Sequence, residues 1–334
     1  MALAEWQSYH IFYSDNLDTV VCGLIAPLVT ELYKARSIRS AFFLRHDVGG
    51  SHVRLRLEVS LAHESAVRAT VLDAAASFLH ACPSLKVIDD DVVRRRNAGI
   101  LAVDPHAGAD TVYSNNTVVE IPFEPEYERY GGPLLLPSSL WLFGISSMCA
   151  LSTLCLNRHQ SRRRQVAAQI RLLVRFTKSI TESHEAMVHL LRHHLDRTAP
   201  QVRRTIEDRC QGEYCGLDAV VRDELHSASN DVGLWSAIGS TFRSAIVSAS
   251  DRTVQRLYDS HLHMLANRLG FTMVAEYAIT AALIRSVLET KESPQCDTAA
   301  HPNVSEVALM HIAATQLRAI LTKTAVTTRA LSRS

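Results

Sequence analysis

The pattern of apolar and polar positions changes character near the middle of the chain. In the first half, short β-rich runs alternate with helical periods. Trp6 to Tyr13 is aromatic and β-rich and reads as a strand. Leu17 to Arg36 carries a helical period, with Asp15 or Asn16 placed to cap it. Ser40 to His46 and His52 to Val59 read as two strands joined through Asp47-Val48-Gly49-Gly50-Ser51. His63 to Ala81 is a second helix, closed by Pro83, and Thr111 to Phe123 is a further strand region, bent at Asn115-Asn116. Strand-helix-strand-strand-helix-strand predicts an antiparallel sheet with helices on one face, a ferredoxin-like core.

The second half reads almost entirely as helix. The predicted segments are Ser138–Leu156, Arg164–Asp196, Val202–Asp208, Leu217–His226, Val232–Ala249, Arg252–Leu269, Thr272–Glu289 and Val304–Thr322. Gly270 stands where a helix C-cap glycine belongs. Lys291 to Asn303 reads as a loop. With no repeat and no long linker, the expected organisation is a single α+β domain over 1–325. It has a strand/helix lobe at 1–135, a mainly helical lobe at 136–325 and a mobile tail at 326–334.

Composition narrows the class. The chain has 334 residues, 47% apolar and 21% charged, enough to bury a large core. A net charge of +1 does not suit a general nucleic-acid binder. The runs Arg94-Arg95-Arg96 and Arg162-Arg163-Arg164 lack an aromatic platform and read as solvated element ends. Seven cysteines, an odd number without a CxxC pair, fit reduced thiols in a cytoplasm, and the first residues lack signal-peptide character. Tyr130 to Asn157 carries no Asp, Glu, Lys or Arg and is long enough to span a bilayer. Its glycines, prolines and serines favour a buried helix and no membrane association.

Candidate chemistry lies in three places. If Gly49-Gly50 form a two-residue turn, Arg45 faces Arg54 and Phe43 faces Arg56. His52, Arg45, Arg54 and Arg56 then share one face, and Phe42, Leu44, Val53, Leu55, Leu57 and Val59 line the core face. Cations facing one another need compensation, by acids such as Glu58 or by an anionic or carbonyl-rich ligand. The predicted helix at 252–269, with Asp251 placed to cap it, carries an apolar stripe of Val254, Leu257, Tyr258, His261 and Leu265. A polar stripe of Arg256, Ser260, His263 and Asn267 runs beside it. Ser260 and Asn267 are then placed to fix the tautomer of His263. Third, Phe123-Glu124-Pro125-Glu126-Tyr127-Glu128-Arg129-Tyr130-Gly131-Gly132-Pro133 is too rich in Gly and Pro for a helix interior. It sets the rigid donor fork of Arg129 beside a glycine turn. His184, His189, His193 and His194 share a helix, but without HExxH spacing or a defined third ligand they make a weak zinc site. No GxSxG elbow, Walker loop or dinucleotide glycine pattern is present.

Glu124-Pro125-Glu126 followed by Arg129-Tyr130-Gly131-Gly132 resembles a signature of the C-terminal domains of lanthipeptide dehydratases and of stand-alone thiopeptide enzymes. Phe42-Phe43-Leu44-Arg45-His46 with His52-Val53-Arg54-Leu55-Arg56 is similar to that family's FFIRY…HLRLR element, and His263-Met264-Leu265-Ala266-Asn267-Arg268 to its HMxxNR helix. The three matches keep the family's order and spread over roughly residues 5–270.

The resemblance implies two chemistries on one scaffold. Elimination domains remove glutamate from glutamylated Ser or Thr, and pyridine synthases join two dehydroalanines and expel the leader peptide. It places Arg45 and Arg129 as carboxylate binders and His263 as acid/base. The segment after the glycine pair, roughly AExxFxxDS in elimination enzymes, reads Ser138-Ser139-Leu140-Trp141-Leu142-Phe143-Gly144-Ile145-Ser146-Ser147 here, with both acids gone. A pyridine synthase is therefore the expectation. Its catalytic candidates are His263, Arg129, Arg45, Tyr258 and Ser260, and its substrate-binding candidates are Arg54, Arg56, Glu126 and Asn267. No metal or other cofactor is expected, and the partner is a leader-bearing, ribosomally made precursor peptide. A glutamate-eliminating subunit, a non-catalytic leader-binding scaffold, and a homodimer or biosynthetic complex remain open.

Overall fold

The computed structural model describes residues 4–102, 111–181, 183–196, 216–227 and 232–290. The helices expected at Val202–Asp208 and Val304–Thr322, the 291–303 loop and the tail lie outside these residues. The chain forms two compact units, Met1–Glu126 and Tyr127–Ser334.

The first unit is built on a four-stranded antiparallel sheet of β1 (Ala4–Phe12), β2 (Ile38–His46), β3 (His52–Ser60) and β4 (Thr117–Glu120). The strand order β2-β3-β1-β4 is the ferredoxin-like order. A helical stretch runs through α1 (Leu17–Val20), a π turn (Val21–Ile25) and α2 (Ala26–Lys34), and Asn16 caps it by accepting from the Asp18 N–H at 3.0 Å. Helix α3 (Glu64–Ala81) follows β3. Tyr9, Ile11, Phe43, Val53, Leu55, Leu57 and Val59 occupy the helix-covered face and are nearly free of solvent. Each such side chain contributes about 1.5–3 kcal/mol. Gln7 on this face donates to the Glu64 carbonyl of α3 at 3.0 Å.

The hairpin register differs by one residue from the expected one. His46 pairs with His52, Leu44 with Arg54 and Phe42 with Arg56. The connection is a five-residue loop in which Gly49 and Gly50 both have positive φ and the Gly50 N–H donates to the Asp47 carbonyl. One step of slip exchanges the faces of a whole strand. Arg45 therefore stands opposite Val53 on the helix-covered face, where it pairs with Asp18 of α1. Arg54, Arg56, His46, His52, Phe42 and Leu44 share the other face with His10 and Phe12. The grouping of Arg45 with Arg54 and Arg56 is thus corrected. So is the grouping of Phe42 and Leu44 with Val53 and Leu55: both stand on the opposite face, where Phe42 is nonetheless buried.

Helix α4 (Asp90–Leu101) is an addition to the predicted elements. Asp89 caps it by accepting from the Asp91 N–H, and its buried Asn97 accepts from the Gly49 N–H at 3.0 Å, tethering the hairpin loop. Arg94, Arg95 and Arg96 are exposed on it. The expected strand at 111–123 shortens to β4 because Asn116 takes a left-handed turn at φ 59°.

The regular elements among the second unit's described residues are all helices. They are α5 (Gly132–Asn157), α6 (Arg162–Ile180), α7 (His184–Asp196), α8 (Leu217–His226), α9 (Val232–Ile246), α10 (Asp251–Arg268) and α11 (Met273–Thr290). The single helix expected over 164–196 is two. Thr181 is extended, and the Ser183 hydroxyl accepts from the Ala186 N–H to start α7. Ser250, not Asp251, caps α10, and Gly270 ends it at φ 80°. Helix α5 is long and apolar enough to cross a membrane by length and composition, and 61% of its most apolar window is buried. It packs against α6, α9 and α10.

Candidate functional site

The 127–131 turn and α10 assemble the candidate site in the second unit. Gly131 adopts φ 78° immediately before α5, where a Cβ would also press on the Leu135 side chain, so any other residue there is strained. Tyr130 is buried, its ring edge-on to Phe143 of α5 with centroids 5.0 Å apart and 6.0 Å from His261 of α10. Arg256 donates to the Glu128 carbonyl at 3.0 Å. With the segment held this way, Arg129 Nε donates to the Ser260 Oγ at 3.2 Å, and its guanidinium lies 5.7 Å from the Tyr130 ring centre. Sequence positions 131 apart are thereby joined. A guanidinium anchored at Nε is a fixed donor for a carbonyl or carboxylate.

His263 follows Ser260 by three residues, about 4.5 Å along the helix axis. Its expected partners, Ser260 and Asn267, are not what its Nδ1 meets. That nitrogen lies 2.8 Å from Oε2 of Glu276 on α11. Ser260 is instead engaged by Arg129, and the half-buried Asn267 uses its backbone carbonyl to accept from the Gly270 N–H.

Glu276 is 2% exposed. Burial alone would raise its pKa, but the adjacent His263 and His194 outweigh that and hold the carboxyl down at about 2. His194 of α7 stands between two acids, with Nε2 3.0 Å from Glu276 and Nδ1 3.4 Å from Asp259. The Nε2 approach is close but off-axis, an ion pair rather than an aligned hydrogen bond. Burial would lower the His194 pKa, yet the two carboxylates raise it to about 9. His193 Nδ1 lies 3.2 Å from the second Asp259 oxygen. The sequence weighed His193 and His194 only as zinc ligands. Among the described residues no three His, Cys, Asp or Glu side chains converge as a ligand set.

Tyr258 is fully buried, next to Thr177, whose hydroxyl is committed to the Leu173 carbonyl. Its own hydroxyl has no aligned partner, and burial pushes the phenol above its ordinary range. A substrate meets it only if the helices part. His261 is also buried. Its Nε2 is 3.2 Å from the Ser139 Oγ, and burial, then Arg268 and Arg129, lower its pKa to about 3. His261 lines a small apolar cavity with Ser139, Trp141, Phe242 and Ile246. Arg268, with no exposed surface, donates to Ser146 at 3.1 Å and sits 5.1 Å from the Phe143 ring centre.

In the first unit, Arg54 Nε donates to His52 Nε2 at 3.2 Å and its Nη2 reaches His46 Nδ1 at 3.0 Å. Arg56 lies over the Phe123 ring at 4.3 Å. Glu126 is exposed and ends that unit. One signal for the missed Glu276 was available. It is the only Asp, Glu, Lys or Arg between Met273 and Ile284, and an isolated acid on an otherwise apolar helix needs a buried partner.

Comparison with solved structures shows the same fold in two proteins. The "Pyridine synthase, TbtD, from thiomuracin biosynthesis" superposes with a TM-score of 0.68 at 16% identity, covering 86% of this chain and 99% of that one. The tRNA-dependent lantibiotic dehydratase MibB from Microbispora sp. 107891 gives 0.55 at 16% identity, covering 86% of this chain and 28% of its own. Comparison with curated protein sequences finds no match. The sequence profile of the family described as "Lantibiotic biosynthesis dehydratase C-term" matches residues 6–288, and the chain is a member of that family.

Proposed function

We propose that this chain is a thiopeptide pyridine synthase acting on a leader-bearing precursor peptide in the cytoplasm. One observation carries the reading. Arg129 is fixed on Ser260, which precedes His263 by about one helical turn on α10, and α5 holds no carboxylate from Gly132 to Asn157. The fold likeness over nearly the whole length of a pyridine synthase supports the same choice.

Cycloaddition needs the amide preceding one dehydroalanine in its iminol form, giving a 2-azadiene. Its two terminal atoms bond to the second alkene, closing a six-membered ring. Loss of water and of the leader as its carboxamide then leaves the pyridine. Arg129 donates to the dienophile carbonyl, and His263 moves the tautomerising proton. Arg54 and Arg56 bind carbonyls or acidic leader residues. Holding the alkenes together supplies on the order of 7–11 kcal/mol. No metal or organic cofactor has a role in this scheme.

The test mixes purified protein with a dehydrated, azole-bearing precursor and reads products by mass spectrometry. The expected result is a leader carboxamide and a pyridine macrocycle. Loss of glutamate from a glutamylated peptide would show elimination instead, and binding without turnover would show a scaffold. His263→Ala and Arg129→Ala should each lower turnover on the order of 10²-fold. Unchanged rates in both would remove the site assignment.

A further inference from the structure

Three helices of the second unit bring five titratable side chains into a line: His193, Asp259, His194, Glu276 and His263. Imidazole and carboxylate alternate, with successive separations of 3.2, 3.4, 3.0 and 2.8 Å. The end members are about one third exposed, at 34% and 37%, and the three between them at most 9%. Such a row is no by-product of packing. A buried carboxylate beside a lone neutral imidazole would be driven to protonate. Here His194 supplies a cation between the two acids and helps hold Glu276 as a carboxylate. The groups facing His194 are Asp259 of α10 and Glu276 of α11, with the Tyr277 ring 5.3 Å away.

We propose that Glu276 is the positioning residue of His263. Held as a carboxylate by His194, it accepts the Nδ1 proton of His263 and leaves Nε2 as the nitrogen that reacts. This rests on the reading of His263 as the acid/base. When Nε2 takes the proton of the tautomerising amide, His263 becomes an imidazolium. The interior of the row, one cation between two anions, carries one net negative charge to balance it. Nε2 returns that proton to the amide oxygen, completing the iminol; after ring closure it takes the ring C–H proton and gives it to the departing hydroxyl, which leaves as water, and the neutral Nδ1–H form returns. A ring with its proton on the wrong nitrogen would have no base to offer. Ser260, already engaged by Arg129, does not compete for the ring.

The experiment uses the full chain labelled with ¹⁵N at histidine, with signals assigned through His263→Gln and His194→Gln. At pH 7 the expected spectrum shows His194 protonated on both nitrogens and the neutral fraction of His263 protonated on Nδ1. Glu276→Gln should scramble the His263 tautomer, and Glu276→Asp should preserve it. In turnover, Glu276→Gln should lower kcat on the order of 10²-fold, with KM changed by no more than about threefold, because no peptide contact is lost. Glu276→Asp should restore most of kcat. A wild-type His263 protonated on Nε2, or a tautomer indifferent to Glu276→Gln, overturns the proposal whatever the turnover shows. The wild-type spectrum decides alone if Glu276→Gln does not fold. A tautomer that follows Glu276 while kcat stays constant upholds the hydrogen bond and overturns its use in catalysis, and with it the reading of His263.

Discussion

Both units bury histidines, and the three on the sheet face end in the opposite charge state to His194 of the second unit, whereas His261, beside Arg268 and Arg129, stays neutral like the sheet set. On the sheet face of the first unit, His10 and His52 stack with centroids 4.9 Å apart, and His46 lies 5.4 Å from His52. Burial first, then neighbouring imidazoles and arginines, push the pKa values of His10 and His46 down to about 2, and burial with Arg54 outweighs the Gly50 carbonyl to bring His52 to about 3. In the second unit His194 is similarly buried yet raised to about 9. The difference is the company. Arg54 donates to two of the first three rings, whereas Asp259 and Glu276 flank His194. Desolvation has the same sign at both places, so the sign of the adjacent charge decides the outcome. Neutral rings accepting from arginine make a rigid platform, and a ring locked between carboxylates makes a charge store next to a candidate acid/base.

The largest effect should come from breaking the second cluster. Glu276→Leu strands a buried cation with one acid and should lower stability by about 3–5 kcal/mol, with most of that recovered in the pair His194→Leu/Glu276→Leu. Urea denaturation measures both, and equal losses in the single and double variants would show that charge pairing is not the cause.

Changing pH should separate the two clusters with mirror-image signs. The sheet histidines have folded pKa values below the unfolded value near 6.5. Their contribution is intact above that pH and is lost as the solution is acidified toward pH 3, by up to about 1.4 kcal/mol per pH unit for each ring. His194 has a raised value, so its contribution is fully present below about pH 6.5 and fades as pH rises from there through about 9. Hydrogen exchange, corrected for intrinsic rates, should show β1 and β3 amides losing protection in acid, and α7 and α10 amides in alkali. The same order of loss at both extremes would contradict the comparison.

The smallest effect is expected for Arg54→Gln, which should cost about 1 kcal/mol at neutral pH through the lost donation to His52 and His46. By removing a nearby cation it should also shift the acid loss of β1 and β3 protection to lower pH. ¹⁵N shifts of the two rings would follow the change, and an unaltered acid response would exclude Arg54 as a cause of their neutrality.

Much of the fold was legible because it rests on local periodicity. The β2 and β3 segments, α3 and α8 were expected nearly at their observed ends, since alternation and the helical period survive in any tertiary context. The hairpin register was not. Two glycines suggest a two-residue turn, but a five-residue loop uses both at positive φ, and that one step carried Arg45 away from Arg54 and Arg56. In the candidate site, Arg129, Ser260 and His263 were named from motif and helical spacing, and the structure joins the first two. Glu276 and the charge on His194 escaped because they depend on how α7, α10 and α11 pack, a relation that no one-helix pattern contains.

The amino-acid sequence by itself determined the ferredoxin-like alternation, the helical second half, the Gly131 turn and the family, each set by neighbours within a few residues or by motifs in fixed order. Only the tertiary structure decided which face each arginine occupies, which hydroxyl Arg129 holds and which acid meets His263. Those outcomes depend on the separation and dielectric between side chains distant in the chain, and Coulomb and hydrogen-bond energies are settled by that geometry alone.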